Sequence, residues 1–329
     1  MSRTRLRRTV LAALACGLAA QAFPQPAPRV ARVGLLASGT RDSSVAMVEQ
    51  FRLGLAERGW SEGRDVVVDY RFAEGRAERL PALARELAAL RPDVVVAVPA
   101  AAVAAMRDAG GEVPIVMANV TDPVGLGFVA SIARPGGRVT GLAYAFDADV
   151  WARQLQLLRE AVPAGRRLGL VFNPDNASGA GIRERVASAA RGMNLVVVPA
   201  PVRRVEEFDR AFAALAHDRA DMVLVLADPV FGSHAARMAQ AATRHRLPTM
   251  HGARSNVAAG GLLFYGPNLA AQLREAADYV DRILKGAAPG ALPVRQPSTF
   301  DLVVNEKAAR ELGLRLPPSL AQAANEVIR

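Results

Sequence analysis

Two strand–helix series in tandem constrain this chain more than any other feature. One runs from about Arg29 to Tyr144 and the other from about Arg166 to Tyr265. Each repeats a short β-branched run followed by an amphipathic stretch. Val66-Val67-Val68 and Val94-Val95-Val96 are continuous apolar runs, as expected of parallel strands covered on both faces. The pattern predicts strands at Val30–Ala37, Asp65–Arg71, Asp93–Val98, Pro114–Ala118 and Val139–Tyr144. It predicts a second set at Arg167–Asn173, Leu195–Ala200, Asp221–Ala227, Pro248–His251 and Gly261–Tyr265. Between them, Met47, Phe51 and Leu55 recur on one helical face, as do Leu80, Leu83, Leu87 and Leu90. Further helices are expected at about Gly181–Gly192, Val205–His217 and Ser233–His245. Alternating strand and helix imposes right-handed crossovers. The expected fold class is therefore α/β, with two doubly wound parallel-sheet lobes and a cleft between them.

The join falls near Ala145–Trp151, and the pattern changes after Tyr265. A long amphipathic helix is expected at Leu269–Lys285, then a Pro/Gly-rich passage at Gly286–Pro297, a strand at Thr299–Val304 and two short helices. This tail reads as recrossing between the lobes, which makes a hinge of several strands. The expected division is a signal peptide over 1–22, one lobe from 29–144 plus about 267–297, and another from 145–266 plus about 298–329.

The N-terminus carries the marks of export. Arg3, Arg5, Arg7 and Arg8 precede an apolar stretch from Val10 to Ala20, too short for a membrane span. Ala20-Gln21-Ala22 offers a cleavage site. Cys16, the only cysteine, follows Ala13-Leu14-Ala15, so a lipid-anchored form through Cys16 is the alternative to a soluble periplasmic one. Either way no thiol remains inside the lobes for chemistry or disulfides. The formal charge of +10 includes those leader arginines. The remaining excess shows no clustered basic stripe or reading motif, so nucleic acid is not an expected partner.

Ligands of open α/β sheets bind beyond the carboxyl ends of the strands. Those positions are Ser38-Gly39-Thr40, Pro99-Ala100-Ala101, Asn119-Val120-Thr121-Asp122-Pro123, Asn173-Pro174-Asp175-Asn176, Asp228-Pro229 and His251-Gly252-Ala253-Arg254-Ser255. Ser38 and Thr40 either seat an anion or cap the next helix. Asp122 and Asp228, each followed by proline, either take a cationic or hydroxyl group or cap turns. Tyr144 and Tyr265 end the fifth strand of each series and either stack on a ligand or pack the hinge. There is no G-x-x-x-x-G-K-[ST] loop, G-x-G-x-x-G after the first strand or G-x-S-x-G elbow. His217, His234, His245 and His251 lack metal-ligand spacing. No metal, no cofactor and no enzymatic activity are expected.

Arg246-Leu247-Pro248-Thr249-Met250-His251-Gly252, Ala258-Ala259-Gly260-Gly261-Leu262 and Tyr265-Gly266-Pro267-Asn268 together resemble the ABC transporter substrate-binding proteins of the TrpX-like group. These belong to the type I periplasmic binding proteins. The likeness extends through Leu292-Pro293-Val294-Arg295-Gln296-Pro297 and Phe300-Asp301-Leu302-Val303-Val304-Asn305. In the first lobe it rests on Gly59-Trp60-Ser61-Glu62-Gly63, Asp122-Pro123-Val124-Gly125 and Ala133-Arg134-Pro135-Gly136-Gly137. The resemblance implies capture of a small polar solute, an amino acid or related small acid, and its delivery to an ABC permease in the membrane. It matches Ser38, Thr40, Asp122, Asn173, Asp228 and Tyr265 to cleft-lining places. The chain departs from the commoner pattern at Pro99-Ala100 and at His251. A monomer is expected. The alternatives are a cofactor-free enzyme acting on small carboxylates through Asp122 and Asp228, or a ligand-sensing domain for a membrane receptor.

Overall fold

A computed structural model describes residues 30–144, 149–176, 179–297 and 299–329. The leader, with its cleavage site and Cys16, lies outside the described residues, as do residues 145–148 of the join.

The first lobe is built on a five-stranded parallel sheet in the order β2-β1-β3-β4-β5. Its strands are β1 (Ala31–Ala37), β2 (Val66–Phe72), β3 (Val94–Val98), β4 (Ile115–Val120) and β5 (Val139–Ala143). Its helices are α1 (Val45–Ala56), α2 (Leu80–Ala89) and α3 (Ala100–Asp108). The two-residue period of a strand explains the layering. Val94, Val96 and Val98 join the core under α1. Val95 and Ala97 point the other way, into the core under α2 and α3.

The second lobe holds the seven-stranded sheet β12-β11-β10-β9-β8-β6-β7. Its first members are β6 (Arg167–Phe172), β7 (Val196–Pro201), β8 (Met222–Val225), β9 (Thr249–His251) and β10 (Leu263–Pro267). Around them lie α4 (Asp149–Ala161), α5 (Gly179–Gly192), α6 (Phe208–His217), α7 (Pro229–Ser233), α8 (Ala235–Arg244) and α9 (Arg254–Ala258). Leu168 and Leu170 face one core with Trp151 and Leu155 of α4. Val171 and Val223 face the other with Phe212 and Met238.

After β10 the chain leaves this sheet. α10 (Leu269–Leu284) begins at Asn268, whose Oδ1 accepts from the Ala271 N–H at 2.8 Å. Its apolar stripe of Leu273, Ala276, Ala277 and Val280 enters the first lobe's core beside Phe51 and Leu55. Gly54 makes this possible: a Cβ there would lie 2.6 Å from the Arg274 carbonyl oxygen and 2.8 Å from the Ala277 Cβ. Arg274 also pairs with Glu57 across the same seam. The chain then passes along β5, where Thr140 Oγ1 donates to the Leu292 carbonyl at 2.6 Å, and returns as β11 (Phe300–Asn305) against β10. It finishes with α11 (Glu306–Glu311), α12 (Pro318–Ala323) and β12 (Glu326–Ile328).

The two-lobed α/β class agrees with expectation, with local corrections. β11 runs antiparallel to β10 because it re-enters the sheet against the direction in which β10 leaves it. Tyr144 lies just past β5, its N–H donating to the Val120 carbonyl at 2.8 Å. The helix expected over Ser233–His245 breaks at His234, because Asp228 and Pro229 start a separate short helix upstream. α3, α4, α9 and β12 are additional. α4 hides in the sequence because its amphipathic pattern starts inside the join.

Candidate functional site

The first lobe presents its strand ends through two adjoining turns. Ser38 follows β1, its N–H donating to the Val98 carbonyl at 3.0 Å. It is 2% exposed, and its Oγ has no hydrogen-bond partner. Burying a hydroxyl without a partner costs about 1–3 kcal/mol, which makes this atom a candidate contact for a ligand. Ser38 lies beside the start of α3, where the amides of Ala102 and Val103 return to the Pro99 carbonyl. The preceding amides of a helix start have no intrahelical acceptor and favour an anion. Thr40 is committed locally: its Oγ1 lies 3.0 Å from Ser43 Oγ and accepts from the Ser43 N–H at 3.1 Å. Asp122 follows β4 with φ +53°. Its Oδ1 accepts from the Gly125 N–H at 3.0 Å, and the side chain stays half-buried at the turn.

In the second lobe the polar groups are knitted together. Asp228 caps α7 by accepting from the Val230 N–H at 2.9 Å. Its Oδ2 accepts from Asn176 Nδ2 at 3.1 Å, and the Asn173 side chain adds a further bond. Burial still holds the Asp228 carboxyl above its ordinary range, outweighing those donors. Asn173 Oδ1 in turn accepts from the Asp175 N–H at 3.0 Å. The structure thus joins Asn173 with Asp228, whereas nothing ties Asp228 to Asp122. Asp228→Ala is expected to cost about 1–2 kcal/mol of stability through the lost cap, read as a lower urea midpoint with an unchanged slope.

The hinge brings the two tyrosines together through Gln154. Its side chain bonds the Tyr144 hydroxyl, and its Nε2 donates to the Tyr265 carbonyl at 2.7 Å. Tyr144 is buried against Trp151, ring centres 6.2 Å apart, and burial first, with Tyr265 nearby, pushes its hydroxyl pKa up. Tyr265 stacks on Phe300 at 5.8 Å and stays half-buried.

Arg183 was not legible as a candidate site residue. Its guanidinium lies 4.5 Å from the Phe172 ring centre, at the carboxyl end of β6, and its Nη1 is buried without a partner. Only the packing of α5 over that strand end reveals this. A cation one turn into a helix otherwise reads as solvated surface.

His251 is fully buried, Nε2 2.9 Å from Thr249 Oγ1 and Nδ1 unpartnered. Burial lowers its pKa to about 3. In the unfolded chain His takes up a proton near pH 6.5, in the folded chain only near 3. The stabilisation is thus present above about pH 6.5 and is lost as pH falls towards 3. Between pH 7 and 5 the protein is expected to lose about 2 kcal/mol more than His251→Gln does, measured by urea unfolding at both values.

Among the described residues no group of His, Cys, Asp and Glu side chains could hold a metal ion. A groove of about 600 Å³ between α1 and α10, lined by Gln50, Arg58, Asn268 and Arg274, contains none of the candidate residues described above.

Two α/β sheets joined by a chain that crosses between them make the two-lobed architecture of a solute-binding protein. The chain belongs to the ABC transporter substrate binding protein family, whose sequence model matches residues 29–328. It is similar to a tyrosine-binding protein of Clostridioides difficile, 22% identical over 80% of this chain and 76% of that protein. Among solved structures, a conserved domain protein of Vibrio cholerae is 28% identical with TM-score 0.84, over 91% of this chain and 100% of its own. An ABC domain from Streptococcus pneumoniae in complex with L-Trp is 25% identical with the same TM-score of 0.84, over 91% and 100%. The expected family is therefore met.

Proposed function

We propose that this chain is the exported solute-binding component of an ABC importer, which closes on an amino acid or related small acid and hands it to a membrane permease. The unpartnered Ser38 Oγ beside the start of α3 carries the reading. A carboxylate there satisfies the hydroxyl and the free helix amides together. Asp122 takes the ammonium group, and Arg183 brings a donor from the second lobe. Tyr265 contributes an aromatic face at the hinge, with Tyr144 behind it. Thr40 shapes the seat through Ser43, and Asn173 and Asp228 hold the second lobe's edge.

The L-Trp complex of the pneumococcal neighbour and the naming of the clostridial relative support an aromatic amino acid as the first candidate. Asp228 committed to a helix cap favours binding over acid–base catalysis. The lobes divide as 29–144 plus about 267–297 and 145–266 plus about 298–329. The mature protein acts as a monomer outside the cytoplasm, after cleavage near Ala22 or anchored through Cys16, with no cofactor and no nucleic-acid partner. The test is thermal shift and calorimetry on ligand-stripped protein against the amino acids and small carboxylates. A saturable rise in Tm with one class is expected. No response to any, or conversion of the solute detected by mass spectrometry, overturns the reading.

A further inference from the structure

Gly75 lies in the turn after β2, with φ +72°. It is buried although Glu74 and Arg76 on either side are exposed. What covers it is the other lobe. A Cβ on Gly75 would lie 2.2 Å from Ser233 Oγ and 2.7 Å from Ser233 Cβ, with the Pro229 carbonyl oxygen at 3.7 Å. Ser233 ends α7, the short helix that Asp228 caps. Gly75 hangs from the five-stranded sheet and Ser233 from the seven-stranded one, so the contact spans the cleft. β2 is also the edge strand opposite β5, the strand that leads into the join. The contact therefore sits on the side of the cleft away from the hinge.

The same turn is tied to the solute seat. The Gly75 N–H donates to the Ser38 carbonyl at 2.9 Å, and the Glu74 N–H to the Gly39 carbonyl at 3.1 Å. Ala73 N–H donates to the Ala37 carbonyl at 2.9 Å, so residues 73–75 continue the β1–β2 pairing past the strand ends. Whatever seats at Ser38 thus acts on a segment that touches the second lobe directly.

We propose that the Gly75–Ser233 contact is the closing latch of the cleft. Gly75 acts as a positioning residue: it is bare so that the lobes can meet there, and its N–H couples the latch to the solute seat. Any side chain at 75 overlaps Ser233 and keeps the lobes from closing fully, although only about 1 Å of opening from the 2.7 Å between the Cβ positions reaches the span of a disulfide. Since only the closed state holds solute tightly, its apparent affinity falls with the closed fraction. The latch supplies fit rather than adhesion, because neither partner has an apolar side chain to bury. The solute arm of the test rests on the function proposed above; the thiol and scattering arms do not.

Cys16 is the only cysteine, so a Cys16→Ser chain carrying Gly75→Cys and Ser233→Cys has a single possible pair. Copper-phenanthroline is expected to oxidise it rapidly, with loss of both free thiols, whereas Gly63→Cys with Ser233→Cys stays reduced. The oxidised protein is expected to scatter X-rays as a more compact particle than the reduced one. It is also expected to exchange labelled L-tryptophan or L-tyrosine at least about tenfold more slowly, reversibly on reduction. Gly75→Ala is expected to weaken the same probe about tenfold, and adding Ser233→Gly to restore most of it. Backbone strain at φ +72° is common to both variants, so the restoration isolates the collision. Oxidation no faster than the control pair overturns the latch. So does an oxidised form whose scattering matches the reduced one, or one that exchanges the probe unhindered. If neither probe binds, the oxidation rate and the scattering decide the latch, and the proposed solute class is what fails.

Discussion

Ser38→Ala is expected to weaken solute binding roughly 10- to 100-fold, the usual worth of a hydrogen bond to a charged group. The unliganded protein should lose no stability. Ser38 Oγ is buried and has no partner in the folded chain, so deleting it removes an unsatisfied group rather than an interaction. A lost affinity with an unchanged or raised Tm therefore separates a solute contact from a structural one. Calorimetry with the solute identified by thermal shift, beside urea unfolding of the stripped protein, measures both. Equal affinity in the variant would remove Ser38 from the seat. A fall in stability would give its hydroxyl a structural role instead.

Gly54→Val is expected to cost about 3 kcal/mol, the upper range for overpacking a tight contact. The first added atom already meets the Arg274 carbonyl oxygen at 2.6 Å and the Ala277 Cβ at 2.8 Å. Backbone cannot rotate aside as a side chain can, so α1 and α10 must separate. That seam holds the recrossing helix to the first lobe, where Leu273, Ala276, Ala277 and Val280 are buried. Urea unfolding should show a much lower midpoint, and amide exchange should rise along both helices. A loss under about 1 kcal/mol would mean that the helices part without cost. Gly54→Ser, with less volume to place, should fall between.

Much of the fold was legible. Val94-Val95-Val96 announced a strand buried on both faces, and Met47, Phe51 and Leu55 announced one face of a helix, because strand and helix periods act locally. The long helix after Tyr265 was equally plain in its stripe. The antiparallel entry of β11 was not, since strand direction depends on where the chain has been rather than on its residues. The site was legible as positions more than as roles. Ser38 and Asp228 both follow strands, yet one hydroxyl is left unpaired while the other side chain is absorbed by Val230, Asn173 and Asn176. Arg183 escaped notice because its stacking on Phe172 joins residues of two different elements.

The sequence by itself determined which segments are strands, which are helices, and to which family the chain belongs, since periodicity and short motifs are local properties. Tertiary structure alone decided which polar groups remain free. A hydrogen-bond partner is a matter of where another part of the chain arrives: Thr40 and Asp122 are held by their own turns, whereas Asp228 also meets Asn173 and Asn176 from a turn far earlier in the sequence. It decided also that Gly75 meets Ser233. No local pattern marks a glycine as bare for the sake of a residue on the opposite lobe.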